Sequence, residues 1–380
     1  MTGSPADTAG SAGQCFAVVT GGGTAGHVLP ALSVAEALVA AGHDPAEIHY
    51  VGAQRGIETE LLPPTPFDHT FLDVVGFQRQ MTRRNLAFAP KMARSTRAAL
   101  RLLRELQPQV VVSVGGYASM PAVFAARWLR IPVVVVSFDR RPGRASQLSA
   151  RFAAACAVAF PDTELPKATV TGAPVRQAIL DVDRETDRSG ARRELGLPAD
   201  RFVVAVMGGS LGSGVLNAAL ADYLATHRDD EALAVRHVAG ARFVDDVDQV
   251  APTGEGVVHQ VVGFEQQMPA VYAACDVLIG RGGASTVHEV AVTGTPAILV
   301  PWSGAAEDHQ TGNVRWLSDD GGAVRLDESE LDRLRREIDR LCADEDARRA
   351  LGVAAAARGE VTRSGGLAAL IERVAVTSAS

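Results

Sequence analysis

VVTGGGTAGHVLPALSVAEAL, running from Val18 to Leu38, is the stretch whose reading decides the fold. A β-type apolar run meets three glycines, a threonine, a fourth glycine and a histidine. A helical pattern then begins. A strand entering a helix through glycines exposes the helix's unpaired N–H groups and lets another backbone or a phosphate come close. The turn is not a Walker A sequence, because it has no Gly-Lys-Ser/Thr. The spacing Gly21-x-Gly23-x-x-Gly26 fits the dinucleotide fingerprint, but the next strand ends Tyr50-Val51-Gly52-Ala53 without an acid for a ribose. Glu58 comes later, on a helical pattern. Phosphate binding and simple tight packing are both open readings of this one turn.

The same rhythm extends outward. Strands are predicted at Phe16–Thr20, Ile48–Val51, Val110–Val114 and Val133–Ser137, with helices at Pro30–Ala41 and Met120–Trp128. The charged stretch from Val175 to Asp200 reads as a connector with a short helix. A second series follows, with strands at Phe202–Met207, Val235–Val238, Val257–Val262, Val277–Ile279 and Ala297–Val300. Its first strand leads through GGSLGSG into a helix ending near Leu224. Strand–helix alternation argues α/β architecture with parallel sheets, and two series argue two doubly wound domains. The expected organisation is a tail over 1–13, domains over 14–174 and 201–360 joined by a linker over 175–200, and a C-terminal helix and tail over 361–380. Ligands in such sheets lie beyond the strand C-termini, so the expectation is two domains facing a cleft.

Composition excludes several classes. The chain has 380 residues, 47% apolar and 21% charged, with a net charge of −7, so nothing global suggests nucleic-acid binding. Cys15, Cys156, Cys275 and Cys342 lie far apart and read as reduced cysteines rather than a zinc or disulfide framework. No apolar run approaches the roughly 18 residues that span a bilayer. The first dozen residues read as a polar tail, not a signal peptide. Local charge is the exception. Lys91, Arg94, Arg97, Arg101 and Arg104 fall at steps of three and four, preceded by Arg79, Arg83 and Arg84. A basic amphipathic helix of this kind suits an anionic membrane face, or else is a solvated surface. The Leu331–Arg358 stretch reads as ordinary surface helices.

Three more constellations carry chemistry. Gly208–Ser213 offers amides and hydroxyls that suit a diphosphate. Arg281–Glu289, RGGASTVHE, follows a strand and opens a helix, and Glu289 either serves the helix dipole or accepts ribose hydroxyls. Pro301–Asn313 ends in AAEDHQTGN, a run of donors and acceptors suited to a sugar, with Asp308 also a helix-cap candidate.

Together with VVSVGGYASMPA (Val111–Ala122), TGAPVR (Thr171–Arg176), GRGGASTVHEV (Gly280–Val290) and DHQTGN (Asp308–Asn313), these stretches resemble the MurG family of bacterial peptidoglycan glycosyltransferases, glycosyltransferase family 28. The resemblance runs from about Phe16 to Val374. It implies a GT-B fold of two Rossmann-like domains and no metal or other cofactor. It also implies inverting transfer of N-acetylglucosamine (GlcNAc) from UDP-GlcNAc to lipid I, the undecaprenyl-diphospho-muramoyl-pentapeptide, giving lipid II. Carried over residue by residue, Ser210 and Arg176 attend the diphosphate, Phe264 flanks the uracil, Glu289 takes the ribose, and His309 and Gln310 take the sugar. Thr24 and Gly26 of the first turn also touch the donor. Gly22, Gly23, Tyr117 and Asp139 lie on the acceptor side. His27 stands where a general base is wanted, and imidazole ordinarily titrates near 6.5; binding phosphate or capping the helix is its plainer role. The resemblance further implies a peripheral place on the cytoplasmic membrane face and partners in cell-wall synthesis and division. Two departures bear on the acceptor. Ser137–Gly143, SFDRRPG, stands where the family carries His-Glu-Gln/Ala-Asn, and Ala173 stands where Asn is frequent. A related enzyme with another acceptor, or a non-catalytic UDP-GlcNAc-binding protein, are the alternatives.

Overall fold

The computed structural model describes residues 15–22, 25–74, 88–209, 211–250, 256–305 and 309–377. The chain divides into two compact units. The first comprises residues up to Val136, Gly143–Cys156 and the chain from Ala368, and the second Ser137–Pro142 and Ala157–Leu367.

The strands are β1 (Ala17–Thr20), β2 (Ile48–Ala53), β3 (Asp68–Leu72), β4 (Val110–Ser113), β5 (Val133–Ser137), β6 (Ala155–Val158), β7 (Ala168–Val170), β8 (Phe202–Met207), β9 (Leu233–Val238), β10 (Val258–Val262), β11 (Val277–Arg281), β12 (Ala297–Val300) and β13 (Val324–Arg325). The helices are α1 (Ala25–Ala40), α2 (Glu58–Leu61), α3 (Phe88–Leu106), α4 (Met120–Leu129), α5 (Arg144–Ala150), α6 (Gln177–Leu180), α7 (Arg184–Glu194), α8 (Gly214–Thr226), α9 (Met268–Ala274), α10 (Ala284–Thr293), α11 (His309–Ser318), α12 (Leu334–Ala343), α13 (Glu345–Arg363) and α14 (Gly366–Thr377). Two sheets result, ordered β3-β2-β1-β4-β5-β6-β7 and β10-β9-β8-β11-β12-β13. The order reverses at β1 and at β8, the strands that feed the two glycine turns. Each of these strands is flanked by two parallel neighbours, which is why both read as continuous apolar runs.

The doubly wound α/β reading holds, with local corrections. Helix α1 begins at Ala25, not Pro30. Pro30 lies inside the helix, where its missing N–H removes the bond that the Gly26 carbonyl would otherwise accept. Strands β3, β6, β7 and β13 escaped the sequence reading: β7 and β13 are only three and two residues long, β6 (ACAV) lies in an alanine-rich stretch, and β3 (DHTFL) carries polar residues on a sheet edge. The stretch 334–341 is not merely surface: Leu334, Ile338 and Leu341 of α12 join Leu216, Leu220 and Leu224 of α8 in the core beneath β8, β9, β11 and β12.

The charged stretch 175–200 folds as α6 and α7. Arg184, Arg188 and Arg192, spaced by four, turn one stripe toward the C-terminus of α9. Arg184 donates to the Cys275 carbonyl at 2.8 Å and Arg192 to that of Ala274 at 3.1 Å. Asp276 pairs with both Arg188 and Arg192, and accepts the Val203 N–H at 2.7 Å. Arg192 and Asp276 are buried, so losing either would strand a charge. This anchorage fixes α9 and, with it, Tyr272.

Three histidines are buried in the second unit. Burial pushes His237 and His259 down to about 4, with His259 adding to the effect on His237, and pushes His288 down to about 3 from the ordinary 6.5. Each is neutral when folded and takes up a proton once unfolded. Their contribution to stability is therefore complete above about pH 6.5 and is lost as pH falls from there toward their folded values. We expect urea melts to show a loss of about 2 kcal/mol per histidine between pH 7 and pH 5. A midpoint that stays constant over that interval would contradict the neutral assignment.

Candidate active site

In the first unit the site grows from the end of β1. Thr20 donates its hydroxyl to the Val51 carbonyl at 2.8 Å, and the Tyr50 hydroxyl donates to the Gly21 carbonyl at 2.6 Å. Glu58, fully buried, fills the space under the turn and accepts the Ala53 N–H at 3.3 Å. A Cβ on Gly22 would run into the Glu58 carboxylate. The glycine there is first a matter of room, as the tight-packing reading expects, with Glu58 the neighbour that the sequence reading did not find. Behind β4, Gly115 and Gly116 have φ of +89° and +77°, and a Cβ on Gly116 would collide with the Gly22 carbonyl and lie 3.4 Å from His27 Cδ2. The half-buried His27 ring thus lies beside the Gly115–Gly116 turn, on the first turn of α1. Gly26 is exposed, and Tyr117 begins the short turn that follows Gly116. Gly23 and Thr24 lie outside the described residues.

In the second unit three loops leave the sheet at the C-terminal ends of β8, β11 and β12. After β8, Gly209 has φ +83° with open space where a side chain would project, and Ser210 lies outside the described residues. Ser213 caps α8, its hydroxyl oxygen accepting the Leu216 N–H at 3.3 Å. The same oxygen accepts from Arg281 Nη2 at 2.7 Å. Arg281, the buried last residue of β11, also pairs with Glu328 at 2.7 Å. Glu328 accepts the hydroxyl of Ser303 and its N–H, the latter at 3.3 Å. Burial alone would raise the Glu328 carboxyl, but the bonds from Ser303 and Arg281 hold it below the ordinary range. The sequence reading quoted Arg281 without a role and missed Glu328. A charged residue ending an apolar strand was the available signal.

After β11, Gly283 stands at the N-cap of α10 with no side-chain cap. Glu289 is half-buried one turn and a half into that helix, and the Tyr272 hydroxyl of α9 donates to its Oε2 at 2.7 Å. Burial raises the Glu289 carboxyl, against the Tyr272 bond and the nearby Arg176 charge. Burial and then Glu289 push the Tyr272 hydroxyl well up, with Arg176 opposing, so it remains a donor. The structure thus brings Arg176 to Glu289 and adds Tyr272. In sequence, a tyrosine inside MPAVYAA reads as core.

After β12, Gln310 Oε1 accepts two backbone N–H groups, from Gly282 at 3.1 Å and Trp302 at 2.9 Å. Asn313 donates to the Gly282 carbonyl at 3.2 Å. Gln310 therefore ties two loops together through its side-chain oxygen. Neighbouring His309 has a buried Nδ1 with no hydrogen-bond partner among the described residues. Asp308 lies outside them. Phe264 is 61% exposed, next to buried Glu265, which pairs with half-buried Arg236. Asp139 is half-buried in 137–142, beside Arg140, which donates to Asp162 at 2.5 Å and to the Gly312 carbonyl at 3.0 Å. Among the described residues no three His, Cys, Asp or Glu side chains are grouped to hold a metal ion.

Known proteins share this sequence pattern and fold. Residues 17–158 match the glycosyltransferase family 28 N-terminal domain and residues 203–360 its C-terminal domain. The UDP-N-acetylglucosamine–N-acetylmuramyl-(pentapeptide) pyrophosphoryl-undecaprenol N-acetylglucosamine transferase of Desulforudis audaxviator is 35% identical over 83% of this chain and 86% of its own. The protein of the same description from Paenarthrobacter aurescens is 36% identical over 89% and 90%. The crystal structure of Acinetobacter baumannii MurG superposes with a TM-score of 0.70 at 26% identity, over 94% of this chain and 98% of that one. The chain belongs to glycosyltransferase family 28, among its MurG-type N-acetylglucosamine transferases.

Proposed function

We propose that this chain transfers GlcNAc from UDP-GlcNAc to the C4 hydroxyl of the muramoyl unit of lipid I, giving lipid II. The observation that carries the donor assignment is the Tyr272–Glu289 pair beside Arg176, in the second turn of α10, a helix whose N-terminus has no side-chain cap. Tyr272 holds one carboxylate oxygen, and the other accepts ribose hydroxyls. The α10 amides, the amides around Gly209 and the Arg176 guanidinium take the charge that develops on the diphosphate. Gln310 and His309 meet the sugar hydroxyls. In the reaction, the acceptor C4 oxygen bonds to the anomeric carbon while its proton passes to His27. The bond to the diphosphate oxygen breaks, and UDP leaves with the electron pair. A backside attack inverts the α-linked donor to a β-linked product.

The acceptor carries a lipid, and α3 supplies the contact in this reading. Arg94, Arg97, Arg101 and Arg104 are exposed along one side, while Leu103 and Ala99 are buried beneath. Arg94 also pairs with Asp73 at 2.9 Å, in an exposed bridge of little energetic weight. Among the described residues no helix is long and apolar enough to cross a membrane. Docking from one side on anionic headgroups suits this helix, at about 1 kcal/mol per basic residue near the surface.

Three outcomes are expected. His27→Ala lowers transfer of labelled GlcNAc to a short-chain lipid I analogue by about 100-fold or more, with UDP binding kept; unchanged turnover would remove His27 from the reaction. Glu289→Ala raises the donor KM by about 10-fold or more, and Tyr272→Phe raises it less; an unaltered donor KM in Glu289→Ala counts against the ribose role. Arg97→Glu with Arg101→Glu abolishes co-sedimentation with phosphatidylglycerol vesicles at low salt without altering UDP affinity, and equal sedimentation of both proteins would refute the docking face. Donor binding without transfer to the lipid I analogue would move the reading to another acceptor.

A further inference from the structure

Behind the donor loops, against α8, lies a cavity of about 650 Å³ lined by Asn217, Leu220, Leu224, Phe243, His237 and His259 among others. The mechanism above uses none of these residues. The polar groups on its wall form one chain with one direction. Val250 N–H donates to His259 Nδ1 at 3.1 Å, which puts the His259 proton on Nε2. That nitrogen faces His237 Nδ1 at 3.4 Å, so His237 carries its own proton on Nε2 and donates to Asn217 Oδ1 at 3.0 Å. Asn217 Nδ2 then donates to the Ala239 carbonyl at 3.1 Å. Every link is satisfied with both imidazoles neutral, which agrees with their burial.

The final acceptor lies where the donor turn is built. The Ala239 carbonyl abuts Gly212, so closely that a Cβ on Gly212 would collide with it, and a Cβ on Gly240 would collide with Gly212 itself. Gly212 closes the turn that carries Gly209. Asn217 stands in the first turn of α8, its N–H bonded to the Ser213 carbonyl at 2.9 Å. The chain therefore ties the start of α8 to the end of β9 at the back of the glycine turn. On the core side Leu216 packs α8 against β8 and β9; on the cavity side, where packing partners are missing, the hydrogen bonds hold the spacing.

We propose that Asn217, His237 and His259 are positioning residues for the nucleotide diphosphate: their one-directional chain sets the spacing between α8 and the end of β9, and with it the amides of the glycine turn. This rests on the donor reading above. Without His259, His237 loses its orienting partner, the Asn217 amide is free to rotate, and Ala239 loses its donor.

The test measures UDP affinity by calorimetry and steady-state transfer kinetics on the full chain. His259→Phe is expected to weaken UDP and raise the donor KM by about 10-fold each, with kcat at saturating donor within about twofold. His259→Asn keeps an oxygen where Nδ1 stands and so keeps the Val250 bond, severing only the link to His237. It is expected to give the same loss and guards against a variant that does not fold. Leu224→Ala, in the same cavity but outside the chain, is expected to lower the Tm while leaving UDP affinity within about twofold. Wild-type UDP affinity in His259→Asn, or an equal loss in Leu224→Ala, would overturn the proposal. A wild-type chain that does not bind UDP overturns the donor reading itself.

Discussion

The guanidinium of Arg281 is the joint on which the second unit's loops depend. Placed at the end of the strand next to β8, it is buried and cannot be left unpaired without a cost of several kcal/mol. Its partners define the site: the Ser213 hydroxyl that caps α8, and Glu328, which in turn holds Ser303 after β12. One buried cation thus joins the glycine turn to the loop after β12. Gln310 completes the framework by accepting N–H groups from the loops after β11 and β12. With these loops pinned from behind, their outward amides are set in place before a ligand arrives, the condition under which electrostatic stabilisation is effective.

The first unit solves the same problem with other residues. A glycine turn has little of its own to hold it, and here Tyr50 fixes the Gly21 carbonyl while Glu58 fills the space beneath Gly22. The Gly22 carbonyl in turn packs on Gly116, and His27 lies beside that contact. The glycines serve close packing on their inner side and access on their outer side. The tight-packing reading of the turn therefore holds at Gly21 and Gly22, and phosphate binding there belongs to the proposal.

This division explains what was legible. The parallel α/β rhythm, the two glycine turns and the charged runs follow local periodicity and spacing, and the sequence exposes them directly. Proximity of Arg176 to Glu289, separated by over a hundred positions, was reached only through family resemblance. The supporting residues were hidden because each imitates something ordinary. Tyr272 imitates core, Glu58 a surface helix residue, and Arg184, Arg188 and Arg192 a solvated connector. Their roles depend on which face of an element meets which neighbour, which spacing along one chain does not specify. Gly23, Thr24 and Ser210 fall outside the described residues, so the assignments for these three rest on the sequence alone.

The central claim is a displacement at the anomeric carbon of UDP-GlcNAc by the muramoyl C4 hydroxyl. The most direct measurement is the linkage formed when the chain is given UDP-GlcNAc and a lipid I analogue, read by nuclear magnetic resonance of the product. The account predicts a β linkage to C4. An α linkage, bonding at another hydroxyl, or release of free GlcNAc with no disaccharide would contradict it.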